Sequence, residues 1–311
     1  MGITVFGPVF VDVKGYPLSA YIPAGRNMGK VEYVHGGVSR NIVEDIANME
    51  LRPTFVSLVD DNGSGEDVIN KLSRHKVNTS YMRKVEDGMG TWLAIFDNSG
   101  DVVAAISKRP DLTPVLDILE EKGDEIFAQA DSISLEIDMD SRIDKKVFEL
   151  AEKHGKDVYA VISNMSIAIE RRDFFKLTKC LVCNQQEAGI LFSEDYMDKT
   201  PEEMVGIVAD RASKANYKAM VITLGEKGAV YYSEDGENGF TPALPVDVVD
   251  TTGAGDAFFA GVCAGLTYGK TLAEACGIGT RLAATVIATV ENVCPRFMPE
   301  EFGLKVDIKE A

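Results

Sequence analysis

Residues 250–256 read Asp-Thr-Thr-Gly-Ala-Gly-Asp and run directly into the apolar stretch Ala257-Phe258-Phe259-Ala260-Gly261-Val262. Glycines at 253 and 255 permit a tight turn in which successive peptide N–H groups point into one concavity. A helix beginning there adds its unpaired N–H groups and its positive end, so the junction should bind an anion. Asp256 puts a carboxylate in the first turn of that helix, an odd neighbour for a plain phosphate cradle. The pairing makes chemical sense if the carboxylate takes a proton from a hydroxyl while the N–H groups stabilise a phosphoryl group in transit. The spacing therefore points to phosphoryl transfer to an alcohol. Asp256 would be the base, and the backbone of Gly253, Ala254 and Gly255 would supply the donors.

Other residues could serve the same chemistry. Gly36 and Gly37 let an acceptor approach the backbone closely, and Asn41 offers both a donor and an acceptor to its hydroxyls. Asp12 can accept two hydroxyl hydrogen bonds, which suits a vicinal diol. Glu187, three residues after Asn184, supplies the hard oxygen that Mg²⁺ prefers, directly or through water. Gly225 and Gly228, after Thr223, permit a tight turn beside a flat, phosphate-bearing ligand. Each has a plain structural alternative: Asp12 as a turn residue, Asn41 as a surface amide, Glu187 as a solvated helical charge. Their joint occurrence with Asp256 favours a site.

Taken in order, these segments resemble the ribokinase-like carbohydrate kinases, also called the pfkB family. The Asp250–Asp256 segment is similar to that family's carboxy-terminal signature, and Gly36-Gly37-Val38-Ser39-Arg40-Asn41 to its sugar-holding amino-terminal element. Asn184-Gln185-Gln186-Glu187 resembles the element that orders Mg²⁺ and its waters. Thr223-Leu224-Gly225-Glu226-Lys227-Gly228 resembles the strand and turn that contact the nucleotide. The resemblance implies Asp12, Gly36, Gly37, Asn41 and Asp256 on the acceptor. It implies Asn184, Thr223, Gly225, Gly228, Gly253, Gly255 and Asn292 on ATP, with Mg²⁺ near Asn184 and Glu187. It also implies a monovalent cation such as K⁺ near Asp250, and a homodimer formed through a small β-sheet lid. Within the family, Val11–Tyr16, Met28–Val31 and Gly36–Ile42 most resemble the pseudouridine kinases, which act on the 5′-hydroxyl of a C-nucleoside. A kinase of ribose, fructose or a keto-deoxy sugar acid is the alternative, and Lys108 and Arg109 would favour an acidic acceptor if they face the pocket. A catalytically silent, sugar-sensing homologue is the further alternative.

Composition narrows the class. The 311-residue chain is 45% hydrophobic with a formal net charge of −17, which argues against a general nucleic-acid surface. Five cysteines form no regular framework, no apolar run reaches membrane length, and the amino end lacks a signal-peptide pattern. A cytoplasmic setting is the expectation. Three apparent motifs are set aside. Gly265–Thr271 nearly spells a P-loop but has Ala264 where glycine is required, at the end of a helix. Asp138, Asp140, Asp144 and Glu149 mimic a calcium loop, but Arg142 and Ile143 occupy required positions. Cys180 and Cys183 have zinc spacing without a second pair.

The elements that must position these residues alternate. Strands are expected at 3–11, 54–59, 132–137, 157–162, 180–183, 219–223 and 228–233. Helices are expected at about 37–49, 64–75, 142–154, 185–192, 201–215, 254–268 and 271–290. Such alternation predicts an α/β fold, a mostly parallel sheet with helices on both faces, in one domain spanning 1–311. The β-rich pieces at 13–35 and 89–107 fit the alternation poorly and are assigned to a small projecting sheet, the lid.

Overall fold

In the computed structural model, which describes residues 2–306, the short apolar runs become strands buried on both faces. They are β1 (Gly2–Phe6), β4 (Thr54–Asp60), β8 (Ala130–Glu136), β9 (Val158–Val161), β10 (Cys180–Asn184) and β11 (Ala219–Thr223). All pair in parallel, as continuous apolar strands covered on both faces should. β5 (Met82–Val85) closes one edge, and β12 (Gly228–Ser233) and β13 (Asn238–Pro242) extend the other in antiparallel fashion. The order is β13-β12-β11-β10-β9-β8-β1-β4-β5.

Helices cover both faces. Ile3, Val5 and Phe55 face a core shared with α1 (Val38–Asn48), α2 (Gly63–Arg74), α9 (Ala254–Thr267) and α10 (Leu272–Ile287). Phe6, Val56 and Ile133 face a second core with α3 (Val115–Gln129), α4 (Ser141–His154), α7 (Gln185–Phe192) and α8 (Pro201–Lys214). Two short helices, α5 (Met165–Ala168) and α6 (Arg172–Phe175), link β9 to β10. No helix among the described residues is long and apolar enough to cross a membrane.

A separate sheet, ordered β3-β2-β6-β7, is built from β2 (Phe10–Pro17), β3 (Gly29–Gly36), β6 (Gly90–Phe96) and β7 (Val102–Lys108). The lid strands thus begin at Phe10, and the expected strand 3–11 is in fact divided between two sheets. Pro8, which lacks an N–H for a ladder, lies in the break between β1 and β2. Helix α3 was not expected. Its charged run and Gly123 hide the apolar period, yet a Cβ at Gly123 would stand 2.6 Å from Leu150 Cδ1. That glycine lets α3 and α4 approach rather than ending a helix.

Candidate active site

Both glycine turns open helices that point into one region. Gly253 caps α9 at φ +82°, and a Cβ there would stand 2.1 Å from the Asn292 carbonyl oxygen. Only glycine fits both the angle and the space. Gly37 caps α1, also at a positive φ of +99° but with an extended ψ of 133°. Asp256 lies in the first turn of α9, and its Oδ2 accepts a hydrogen bond from Asn41 Nδ2 at 2.7 Å. Burial raises the Asp256 carboxyl to about 7; the Asn41 hydrogen bond and the Arg40 charge oppose this, while Asp12 and Glu187 add to it. A carboxylate poised near neutrality suits a general base.

Asp12, on β2, packs its carboxylate against Gly36, where a Cβ would lie 2.6 Å from Oδ2. Burial raises the Asp12 pKa, against the pull of Lys14 and Arg40. Asp12, Gly36, Gly37, Asn41 and Asp256, expected on the acceptor, are thus brought together on one side. On the other side, Thr223, Gly225, Gly228, Ala254 and Gly255 line one cavity of about 420 Å³. Leu244, Val246, Ala283 and Ile287 give it an apolar wall suited to a flat base. That wall was not anticipated. The exposed apolar run after Pro242 was the signal available.

Asn184 and Glu187 form a reciprocal capping box on α7. Asn184 Oδ1 accepts the Glu187 N–H at 2.8 Å, and Glu187 Oε2 accepts the Asn184 N–H at 2.7 Å. The other Glu187 oxygen has no hydrogen-bond partner among the described residues, and burial raises this carboxyl's pKa. A hard, half-buried oxygen whose charge lacks compensation fits a water-coordinated Mg²⁺. Asp250 Oδ1 accepts the Thr252 N–H at 2.8 Å. Asn292 donates its side-chain amide to the His35 carbonyl at 3.2 Å and does not line the cavity.

Lys108 and Arg109 do not present free charges to an acceptor. Lys108 Nζ lies 2.9 Å from Asp87, and Arg109 Nη2 lies 2.7 Å from Asp138. Sequence reasoning missed Glu136, at the carboxyl end of β8, where open α/β sheets place ligands. Its Oε2 accepts the Ser39 hydroxyl at 2.7 Å, and burial with the neighbouring Asp138 pushes its pKa up to about 8. A larger cavity, about 510 Å³, lies behind α1 between Glu44, Lys71, His75 and Arg296 and holds no predicted site residue. The motif look-alikes resolve as structure: Asp140 caps α4, Gly269 takes φ +82° just beyond α9, and Cys180 and Cys183 are buried thiols.

A parallel α/β layer with a β lid, and a carboxylate at the amino end of a glycine-capped helix, define a ribokinase-like phosphotransferase with an alcohol as acceptor. The chain matches the pfkB family carbohydrate kinases over residues 2–293 and belongs to that family. It is 31% identical to the guanosine-inosine kinase of Exiguobacterium acetylicum over 93% of this chain and 95% of that one. It is 24% identical to the pseudouridine kinase of Escherichia coli (strain K12), over 88% and 86% of the two chains. Its fold is similar to that of Arabidopsis thaliana ribokinase complexed with ribose and ATP, with TM-score 0.82, 19% identity, and 95% and 96% of the chains covered.

Proposed function

We propose that the protein transfers the γ-phosphoryl group of ATP to the primary 5′-hydroxyl of a ribonucleoside. The observation that carries it is the convergence of Asn41 on Asp256 at the amino end of α9, between the acceptor side and the nucleotide-sized cavity. Asp256 accepts the hydroxyl proton as the oxygen bonds to the γ-phosphorus; the bond to the β–γ bridging oxygen breaks and ADP leaves. N–H groups of residues 253–256 stabilise charge on the phosphoryl oxygens, and positioning does most of the remaining work. Mg²⁺, when bound near Asn184 and Glu187, neutralises phosphate charge. The lid sheet closes over the acceptor and excludes water, which limits ATP hydrolysis.

Two nucleoside classes have specific support. The 31% identity to a guanosine-inosine kinase favours a purine ribonucleoside. The segments 11–16, 28–31 and 36–42 and the 24% identity to a pseudouridine kinase support pseudouridine. Neutralisation of Lys108 and Arg109 by Asp87 and Asp138 weighs against a sugar acid. ADP release should be measured with guanosine, inosine, pseudouridine, uridine, adenosine, ribose, fructose and keto-deoxygluconate. Highest kcat/KM for ribose or fructose would overturn the nucleoside assignment, and no stimulation by any would revive a sensing role.

The proposal extends to a homodimer through the lid. β3 and β7 are the edge strands of the small sheet, and Leu18, Met28, Tyr33 and Ile106 on or beside its strands are exposed. A monomer in sedimentation velocity at working concentration would count against it. It extends also to a monovalent cation near Asp250. Equal activity in K⁺, Na⁺ and a bulky ammonium would argue against that cation.

A further inference from the structure

We propose that Arg40 and Glu44 are a positioning pair for the base, acting through Asn41. The inference rests on Asp256 as the base. An asparagine amide can turn either its oxygen or its nitrogen toward a neighbour, and only the nitrogen can donate to a carboxylate. In this chain the choice is made by Arg40. Its Nη2 donates to Asn41 Oδ1 and to the His35 carbonyl, while Nη1 donates to Glu44 Oε2. A guanidinium has donors only, so it accepts no other partner from Asn41 than the amide oxygen. The amide nitrogen is thereby left facing Asp256 Oδ2, at 2.7 Å.

Placing this pair in the core is costly, which is why its presence is informative. Arg40 and Glu44 side chains are each 1% exposed, and Arg40 Nε has no hydrogen-bond partner among the described residues. A buried ion pair is often no more stabilising than well-packed apolar side chains, so stability alone does not account for it. What the pair provides is direction and charge. It fixes the Asn41 amide, and it sets a permanent cation near Asp256. The groups facing Asp256 are Asp12 from β2, Glu187 from α7, and Arg40 with Asn41 from α1; Asp45 of α1 is a further acidic neighbour. Arg40 is the one cation among these. Through the His35 carbonyl, which also accepts from Asn292, Arg40 further ties the end of lid strand β3 to α1 and to the loop behind Gly253.

Glu44 does not depend on Arg40 alone. Its Oε1 lies 3.2 Å from Lys71 Nζ and 3.8 Å from His75 Nε2, at the cavity behind α1. Removing the guanidinium therefore leaves that carboxylate with the Lys71 ammonium, so Arg40→Met should remain folded.

The test compares Arg40→Met and Arg40→Lys with Asp256→Asn, with circular dichroism and melting as fold controls. Two readouts are taken: steady-state kinetics with guanosine or inosine across pH, and ¹³C-carboxyl titration of Asp256, which requires no turnover. In Arg40→Met the Asp256 titration and the acid limb of kcat/KM should move up by about one pH unit. Its kcat should fall at least about tenfold, with KM for ATP within about twofold. In Arg40→Lys the cation stays and the fork is lost, so kcat should fall while the titration moves little. A folded Arg40→Met with the wild-type titration overturns the pair's electrostatic role, and wild-type kcat in Arg40→Lys overturns its orienting role. Full activity in Asp256→Asn instead removes the base itself, an outcome separate from either.

Discussion

Asn41 Nδ2 stands 2.7 Å from Asp256 Oδ2, a hydrogen bond that joins the first turn of α1 to the first turn of α9 across 215 residues of sequence. Both helices begin at a glycine with positive φ, Gly37 and Gly253. Two glycine-capped helix starts thus meet at one carboxylate, with Asp12 and Gly36 on one side and a cavity of about 420 Å³ on the other.

That carboxylate should govern the pH dependence. The folded-state pKa of Asp256 is raised to about 7 by burial, and the proposed base is its deprotonated form. Activity should therefore rise through about pH 7, and an acid limb of kcat/KM near 4 would contradict this. Stability runs the opposite way. A carboxyl whose folded pKa exceeds its unfolded value weakens the fold as pH rises from the unfolded pKa through the folded one. Asp256→Asn should accordingly raise the melting temperature at pH 8 relative to wild type, with a smaller gain at pH 5. Its kcat should fall by roughly a thousandfold. ATP affinity by calorimetry should stay close to that of wild type.

The two glycines of the anion turn should separate structure from chemistry. Gly253→Ala meets the Asn292 carbonyl at 2.1 Å and a positive φ, so a loss of roughly 2 kcal/mol or more in stability is expected. A Cβ at Gly255 meets nothing within 4 Å, and the residue lies inside α9. Gly255→Ala should leave stability unchanged or gain about 0.5–1 kcal/mol, yet lose activity because the methyl group occupies phosphoryl space. Denaturant melts and kcat together decide it; full activity in Gly255→Ala would place the phosphates elsewhere.

Gly36→Ala tests the acceptor side alone. Its methyl group would lie 2.6 Å from Asp12 Oδ2 and must displace that carboxylate. KM for the acceptor should rise by about tenfold or more while KM for ATP stays within about twofold. Equal effects on both constants would mean that Asp12 does not hold the acceptor.

Much of the candidate site was legible because its residues obey local rules. Gly253 and Gly37 announce backbone angles, and Asp256 and Asn41 follow them at helical spacing. Asn184 and Glu187 were legible as a pair, although their mutual capping is a purely local fact that the metal assignment did not require. Residues with no local signature were missed. Glu136 and Ser39 lie 97 residues apart and meet only because β8 and α1 are neighbours in space. The apolar wall of Leu244 and Val246 faces α10 across the cavity, which no periodicity in a loop can announce. Helix α3 was obscured because Gly123 reads as a breaker until the packing against Leu150 is seen. Lys108 and Arg109 were legible as charges, but their partners Asp87 and Asp138 were set by tertiary contact.

Glu187 combines two duties that one substitution can divide. As the third residue of α7 it closes the capping box, a task that glutamine performs as well as glutamate. As a half-buried carboxylate with a free oxygen it is a candidate Mg²⁺ partner, a task that needs the charge. Glu187→Gln should therefore keep the fold, with a melting temperature within about 2 °C of wild type at neutral pH. The Mg²⁺ concentration giving half-maximal activity should rise by about tenfold, as expected for loss of one metal-side partner. Removing a negative neighbour should also lower the Asp256 pKa, because Glu187 is among the charges that raise it. The acid limb of kcat/KM should move down in the same variant in which the Mg²⁺ requirement moves up. An unchanged Mg²⁺ titration together with an unchanged acid limb would leave Glu187 as a helix cap and nothing more.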